Sequence, residues 1–355
     1  MSSTLSEAYR DHPLHLHHII PLDFNSLPDV PESHVWANSD DDFPADVDRS
    51  TVPVIDLSDP DATGLIGHAC EAWGVFQVVN HGIPLSHLRD AESEARRLFS
   101  LPVRQKLKAL RAPAGATGYG IARITPFFSK YMWHEGFTIM NSAFDHANTL
   151  WPNDHARFCD VMDNYQKKMR ILAEQLTKLI FKSLDIYSEE EEEEEEEEMK
   201  WWDDDPSTAL QLNSYPSCPD PSRALGLAPH TDTSIITILH QSTISTGGGL
   251  QIFKEGIGWI PVLPVSGALV VNVGDLLHIL SNGRYTSVLH RVFVNQNWHR
   301  LSMAYFYSPP TDSSVKPLAK ILNSGQPPRY RSVTVREFIS IKAKSLDKAL
   351  SIIEI

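Results

Sequence analysis

The stretch Ser287–Tyr307, SVLHRVFVNQNWHRLSMAYFY, reads as two β-strands joined by a short turn near Gln296–His299. Successive residues of a strand project to opposite faces. Leu301, Met303 and Tyr305 therefore share one face of the second strand, and Arg300, Ser302 and Ala304 the other. A guanidinium and a hydroxyl point together, towards the interior of whatever the strands enclose. A buried arginine without a partner is costly. It calls for a carboxylate, which its planar fork binds through two parallel hydrogen bonds. That carboxylate can belong to a protein Asp or Glu, or it can arrive on a ligand.

Working outward, the whole region from Thr208 to Pro309 has the same character. ALQLNSYP, SIITILH, GLQIFK, GWIPVLP and ALVVNVG are short, β-rich and separated by turn residues. Asn282-Gly283 is a tight-turn signal, with the preceding LHILSN partly helical in pattern. About seven strands at short spacing predict a closed sandwich or jelly roll.

Within this region Leu227–Ser234 reads LAPHTDTS. Of the 16 histidines, His230 alone begins a His-x-(Asp/Glu). On a strand His230 and Asp232 point together. They are either a satisfied polar pair or two ligands of a metal. A third ligand would come from another strand, from His240, His278, His290 or His299. The strand pair 287–307 favours His290, ten residues before Arg300 and expected to approach it across neighbouring antiparallel strands. Two histidines and one carboxylate on one face of a metal leave three positions open, the facial triad of non-haem Fe(II) oxygenases.

Composition narrows the function classes. The chain has 355 residues and 42% hydrophobic residues, ordinary for a globular protein with a sizeable core. Ten of the negative charges behind its net −14 lie in the run Glu189–Glu198, which leaves −4 for the rest. This acidity, with no basic stripe, argues against a nucleic-acid partner. No apolar run approaches the roughly 18 residues of a membrane span, and the first residues lack the apolar core of a secretory signal. Cys70, Cys159 and Cys218 are few, odd in number and far apart. They fit free thiols in a reducing compartment, hence the cytosol or nucleus. A monomer is expected.

Upstream, residues 1–50 are rich in His, Pro and Asp and read as a flexible, loosely packed arm, the histidines of HPLHLHHII included. The folded unit begins at TVPVIDLS. Leu65, Ile66, Ala69, Cys70 and Trp73 make one helical stripe, VFQVVNHGIP is strand-like, and two further helical regions span 85–110 and 154–184. The Glu run reads as a surface insertion without a catalytic role. A C-terminal helix follows, with Thr334 and Glu337 placed as a capping box.

The spacing His230-x-Asp232, His290, Arg300-x-Ser302 resembles the iron- and 2-oxoglutarate-dependent dioxygenases, and NSYPSCPDP (213–221) is similar to that family's Asn-x-Tyr-Pro segment. The resemblance implies Fe(II) on His230, Asp232 and His290. It implies 2-oxoglutarate with its distal carboxylate on Arg300 and Ser302, Tyr215 contributing a hydroxyl and Asn213 nearby. O2 is then the oxidant and ascorbate a supporting reductant. The implied fold is α+β: a double-stranded β-helix (jelly-roll) core at 205–312, flanked by an N-terminal helical region at 51–200 and a C-terminal helical segment at 313–355.

A narrower resemblance rests on GYGIARITPFFSKYMWHEGFTI (118–139), DHPLHL, GHACEAWGVFQVVNHG and VNVGDLLHILSNGRYTSVLHRVFVNQ, which are similar to plant gibberellin 3β-dioxygenases. It implies a C19 gibberellin substrate, a rigid apolar diterpenoid acid. Phe127, Phe128, Trp133 and Phe137 would line an apolar pocket, and Arg123 or Lys130 would meet the acid. The competing reading makes these aromatics core and these cations surface. The Glu run and QSTISTGGGL depart from the pattern, as does YFYSPP. Gibberellin 2-oxidases and 20-oxidases and flavonoid dioxygenases share every iron and co-substrate residue, so the triad does not separate them. A non-catalytic jelly roll that binds a small acid is the alternative of another class.

Overall fold

Alternating residues over 207–215 and 300–308 form the two longest strands among the described residues, nine residues each and antiparallel along their whole length. The computed structural model describes residues 4–36, 51–184, 205–242, 249–322 and 325–355. The Glu run and most of QSTISTGGGL lie outside these ranges.

Twelve strands build two sheets. They are β1 (Val54–Asp56), β2 (Val75–Val79), β3 (Gly118–Gly120), β4 (Glu135–Ile139), β5 (Ser207–Tyr215), β6 (Leu225–His230), β7 (Ile236–Gln241), β8 (Leu250–Lys254), β9 (Gly258–Pro261), β10 (Leu269–Val273), β11 (His290–Phe293) and β12 (Arg300–Ser308). The larger sheet runs β1-β2-β10-β7-β12-β5-β4-β3 and the smaller β6-β11-β8-β9. Leu239, Val270 and Ala304 of the larger sheet pack with Leu250, Ile252, Ile260 and Val292 of the smaller, so the sheets face each other across an apolar floor. On the outer face of β12, Leu301, Met303 and Tyr305 join Met162, Met169 and Leu172 of the long helix Ala156–Lys182. This is the α+β jelly roll with flanking helices that the strand pattern predicts.

The expected β11–β12 hairpin does not form. β11 is paired on both edges, by β6 and β8. β12 is likewise paired on both edges, by β5 and β7. Neither has free backbone donors for the other, and residues 294–299 carry the chain from one sheet to the facing one. His290 and Arg300 thus approach across the barrel and not along a sheet.

Local signals upstream are realised closely. The helix Ala62–Ala72 buries Ile66, Ala69 and Cys70 and stops at Gly74, whose φ of +65° suits glycine. At the C-terminal helix Val335–Ser345, Thr334 Oγ1 accepts from the Glu337 N–H at 3.1 Å. The reciprocal half of the box is absent: the Glu337 carboxylate instead pairs with Arg331 at 2.9 Å.

Where the sequence suggests a loose arm, residues 4–36 are packed. Ile19, Phe24, Val30 and His34 are buried. Leu14 N–H donates to Pro113 O at 2.9 Å, and Ile121 N–H to Ile19 O at 2.9 Å. Apolar residues spaced between prolines give no helical or strand period, yet they gain enough burial to be held. Among the described residues no helix is long and apolar enough to cross a membrane.

Candidate active site

His230 ends β6 and His290 begins β11, and the two are register partners in the small sheet. Their rings lie 4.2 Å apart. Asp232, two residues beyond His230, turns its Oδ1 to within 3.9 Å of His230 Nε2 and 3.8 Å of His290 Nε2. His230 Nδ1 donates to Ala228 O at 2.8 Å, and His290 Nδ1 to Val288 O at 3.1 Å. Each imidazole thus has its proton on Nδ1 and its lone pair on Nε2, aimed at the carboxylate. This is how metal-ligating histidines are oriented. Burial, reinforced by His290, pushes His230 down to about 3, so it is a neutral donor. Burial alone would raise Asp232, but the facing imidazoles of His290 and His230 hold it below the ordinary carboxylate value. Among the described residues this is the one cluster of three such groups.

The other histidines are engaged elsewhere. His278 bonds Tyr285 O at 2.6 Å and the Tyr330 hydroxyl at 2.9 Å. His299 bonds Ser214 Oγ at 2.9 Å on the outer side of the large sheet. His240 lies out of phase with the inward Thr237 and Leu239 of β7, packed near Tyr165.

On the facing sheet β12 presents Arg300, Ser302, Ala304, Phe306 and Ser308 to one cavity of about 630 Å³ that also contains the triad. Arg300 is buried, and among the described residues no carboxylate pairs with it. Its Nη2 donates to Gln241 Oε1 at 2.8 Å and its Nη1 to Ser302 Oγ at 3.4 Å. Tyr215, its partner across β5–β12, lies with its ring 5.0 Å beneath the guanidinium. Asn213, opposite Ser302, accepts from His134 at 3.0 Å. Among the described residues the internal salt bridge left open by the sequence does not form; Gln241 and Ser302 are the side chains that meet this guanidinium.

Two histidines and a carboxylate, facing a buried arginine that no described carboxylate meets, fit a site that would hold Fe(II) with a 2-oxo acid as co-substrate. Comparison with known proteins agrees. Residues 206–309 match the 2OG-Fe(II) oxygenase superfamily, and residues 52–156 match the N-terminal region described as non-haem dioxygenase in morphine synthesis. The chain is 53% identical to gibberellin 3-beta-dioxygenase 1 of Pisum sativum over 98% of this chain and 93% of the relative. It is 45% identical to gibberellin 3-beta-dioxygenase 1 of Arabidopsis thaliana, over 99% of this chain and 98% of the relative. The chain belongs to the 2OG-Fe(II) oxygenase superfamily. Among solved structures it resembles JOX2 in complex with 2OG, Fe and JA, with a TM-score of 0.77 and 29% identity over 93% of this chain and 95% of that one. It also shares the fold of the rice dioxygenase for auxin oxidation, with a TM-score of 0.69 and 24% identity over 86% of this chain and 100% of that one.

Oxygenases of this superfamily use Fe(II), 2-oxoglutarate and O2. The remaining cavity wall comes from the arm (Leu5, Tyr9, Leu14), the 111–140 region, the C-terminal helix (Val335, Ile339) and Leu346 just beyond it. Of the pocket residues expected from sequence, Phe127 and Arg123 line the cavity. The others do not. Phe137 is buried on the opposite face of β4, where alternation sends His134, Thr138 and Met140 inward instead. Trp133 is fully buried against Phe24 at 4.8 Å, with its indole N–H on Pro216 O at 3.1 Å. Phe128 packs on Trp36 at 5.6 Å, and Lys130 donates to Glu32 O at 2.7 Å. The packed arm supplies Phe24, Trp36 and Glu32 as partners, which holds Trp133, Phe128 and Lys130 away from the cavity.

Arg111, His134, Gln241, Asn272 and Lys342 are site residues that sequence reading missed. Gln241 and Asn272 were findable, from the inward phase of their strands. Lys342 was not. It reaches from the C-terminal helix to Thr231, between two triad residues, donating to its carbonyl at 2.8 Å and its hydroxyl at 2.8 Å. It also pairs with Asp275, which is fully buried. Lys342→Met would leave that carboxylate without its cation, a loss of about 3–5 kcal/mol in such settings. The expected outcome is a clear fall in melting temperature. Iron should also bind about tenfold more weakly, the scale for groups that orient metal ligands. Thermal unfolding and iron titration check both.

Proposed function

We propose that this chain is a gibberellin 3β-dioxygenase, hydroxylating C19 gibberellins that lack a 3-hydroxyl. In this reading His230, Asp232 and His290 hold Fe(II). Arg300 takes the distal carboxylate of 2-oxoglutarate through its fork, with Ser302 and Tyr215 as hydroxyl partners and Asn213 beside them. When bound, the iron and its co-substrate activate O2 to remove hydrogen from an unactivated carbon, 2-oxoglutarate leaving as succinate and CO2; ascorbate serves as reductant. The protein's task is to orient the target carbon and exclude water. In this reading 205–312 is the catalytic core, and the described residues of 51–184 and 313–355 flank it. A monomer in the cytosol or nucleus, with no nucleic-acid or membrane partner, belongs to the same reading.

Relatedness carries the substrate assignment: the chain is 53% identical to a gibberellin 3-beta-dioxygenase over 98% of its length. The cavity supports it, with an apolar wall, a volume of about 630 Å³ and two arginines apart from Arg300. That suits a rigid apolar acid.

Aerobic turnover of a gibberellin panel with Fe(II), 2-oxoglutarate and ascorbate tests the reading. The main product is expected to carry the new oxygen at 3β. Positions 2 and 3 share a ring, so minor 2,3-desaturation or 2-hydroxylation should accompany it. A dominant 2β-hydroxylated product, or turnover of C20 gibberellins or flavonoids alone, would overturn the substrate assignment and leave the dioxygenase chemistry standing.

A further inference from the structure

Arg111 is 3% exposed, yet among the described residues no carboxylate pairs with it. Its Nη2 donates to Ile121 O at 2.7 Å. Its Nε is buried and has no hydrogen-bond partner. It lines the same cavity as the triad. Burial, with Arg123 adding repulsion, pushes this guanidinium down to about 9. One wall of the cavity therefore holds two arginines without a counter-charge, an arrangement that is costly in isolation.

The two differ in what they have left to offer. Arg123 donates to Gly115 O at 2.7 Å and to His12 O at 3.0 Å, and its guanidinium stacks 4.6 Å over the Tyr9 ring. It ties the arm to the 115–124 loop. Arg111 lines the cavity and spends its Nη2 on Ile121 O, with its Nε left as a buried donor without a partner. His134 feels both Arg111 and Arg300, and burial and these two cations bring it to about 4 in spite of its bond to Asn213. It is a neutral divider between them.

We propose that Arg111 is the anchor for the carboxylate of the organic substrate, while Arg300 takes the acid of the co-substrate. The inference rests on the gibberellin reading and names the residue that fixes the substrate's orientation. An acid held at Arg111 is bound through its charge and its two oxygens together. Arg123 contributes positive potential and holds the wall in place. Two acids enter one cavity, and each has its own arginine.

The test compares a C19 gibberellin with its methyl ester in the wild type, Arg111→Gln and Arg111→Lys. KM values for both compounds and for 2-oxoglutarate are measured. In Arg111→Gln the KM for the free acid should rise roughly 10- to 100-fold, the scale of one lost charged hydrogen bond. The KM for the ester and for 2-oxoglutarate should stay close to wild type. Arg111→Lys keeps the charge without the fork, and should fall between the two even if the glutamine variant fails to fold. An unchanged acid-over-ester preference in both variants, or in Arg111→Lys alone where Arg111→Gln does not fold, overturns the anchor. So does a raised KM for 2-oxoglutarate. A wild type that turns over no gibberellin fails one step earlier, overturning the substrate reading and the anchor with it.

Discussion

His290→Ala is expected to abolish turnover and leave the fold in place. The imidazole donates its Nδ1 proton to a carbonyl two residues away in its own chain, so its removal orphans only Val288 O at the strand edge. The three-ligand cluster falls to two. A bound metal supplies several kcal/mol of charge stabilisation, and about 1.4 kcal/mol is a tenfold change in rate. A loss of roughly a thousandfold or more follows. His230→Ala and Asp232→Ala should behave alike, because each leaves two donors. Metal analysis should find iron missing from all three, with far-UV circular dichroism unchanged. Retained iron and near-normal turnover in His290→Ala would show that the third ligand lies elsewhere. His278, bound at both nitrogens, could serve only after breaking those bonds.

Arg300→Lys is expected to raise the requirement for 2-oxoglutarate by one to two orders of magnitude and to leave iron binding nearly intact. Lysine keeps the positive charge but loses the planar fork and the bond to Gln241. Charged hydrogen bonds are worth about 1.5–3 kcal/mol each, which sets the expected range. The metal site is spared because Arg300 stands on β12, in the sheet facing the triad. Measured KM for 2-oxoglutarate and iron content separate the effects. An unchanged KM would mean that the co-substrate acid binds elsewhere, with Arg111 the next cation to examine. A loss of iron as well would mean that the two sheets are coupled through the barrel.

Much of this site was legible in the chain because its signals are local. His230 and Asp232 need only the period of a strand to point together. Arg300 and Ser302, and Asn213 and Tyr215, need the same period, and all four line the cavity as their phase requires. The helix stop at Gly74 and the Thr334 cap depend on neighbours within a few residues. What period two cannot supply is the choice of which face is the inner one in a wholly buried strand. In β4 every residue is buried, and EGFTI carries a polar residue on each face, Glu135 beside Phe137 and Thr138 opposite, so neither face is marked as the inner one. Phe137 and Thr138 were equally plausible from composition, and packing against the helices behind the sheet took Phe137.

Other features had no local signal at all. Whether β11 pairs with β12 was decided by which strands already occupied their edges, a matter of hydrogen-bond completion across the whole barrel. The cavity wall is assembled from the arm, the 111–140 region and the C-terminal segment, with residues as far apart as Leu5 and Leu346. Lys342 and Arg111 gain their significance only there. By itself the sequence determined the fold class and the shared faces of His230 with Asp232 and of Arg300 with Ser302, because strand period encodes them; the choice of His290 and the co-substrate role of Arg300 rest on the family resemblance, since the hairpin expected to join their strands does not form. The tertiary structure alone decided which cations stand unpaired in the cavity. A charge is paired or unpaired according to every element packed around it, and no stretch of chain carries that information.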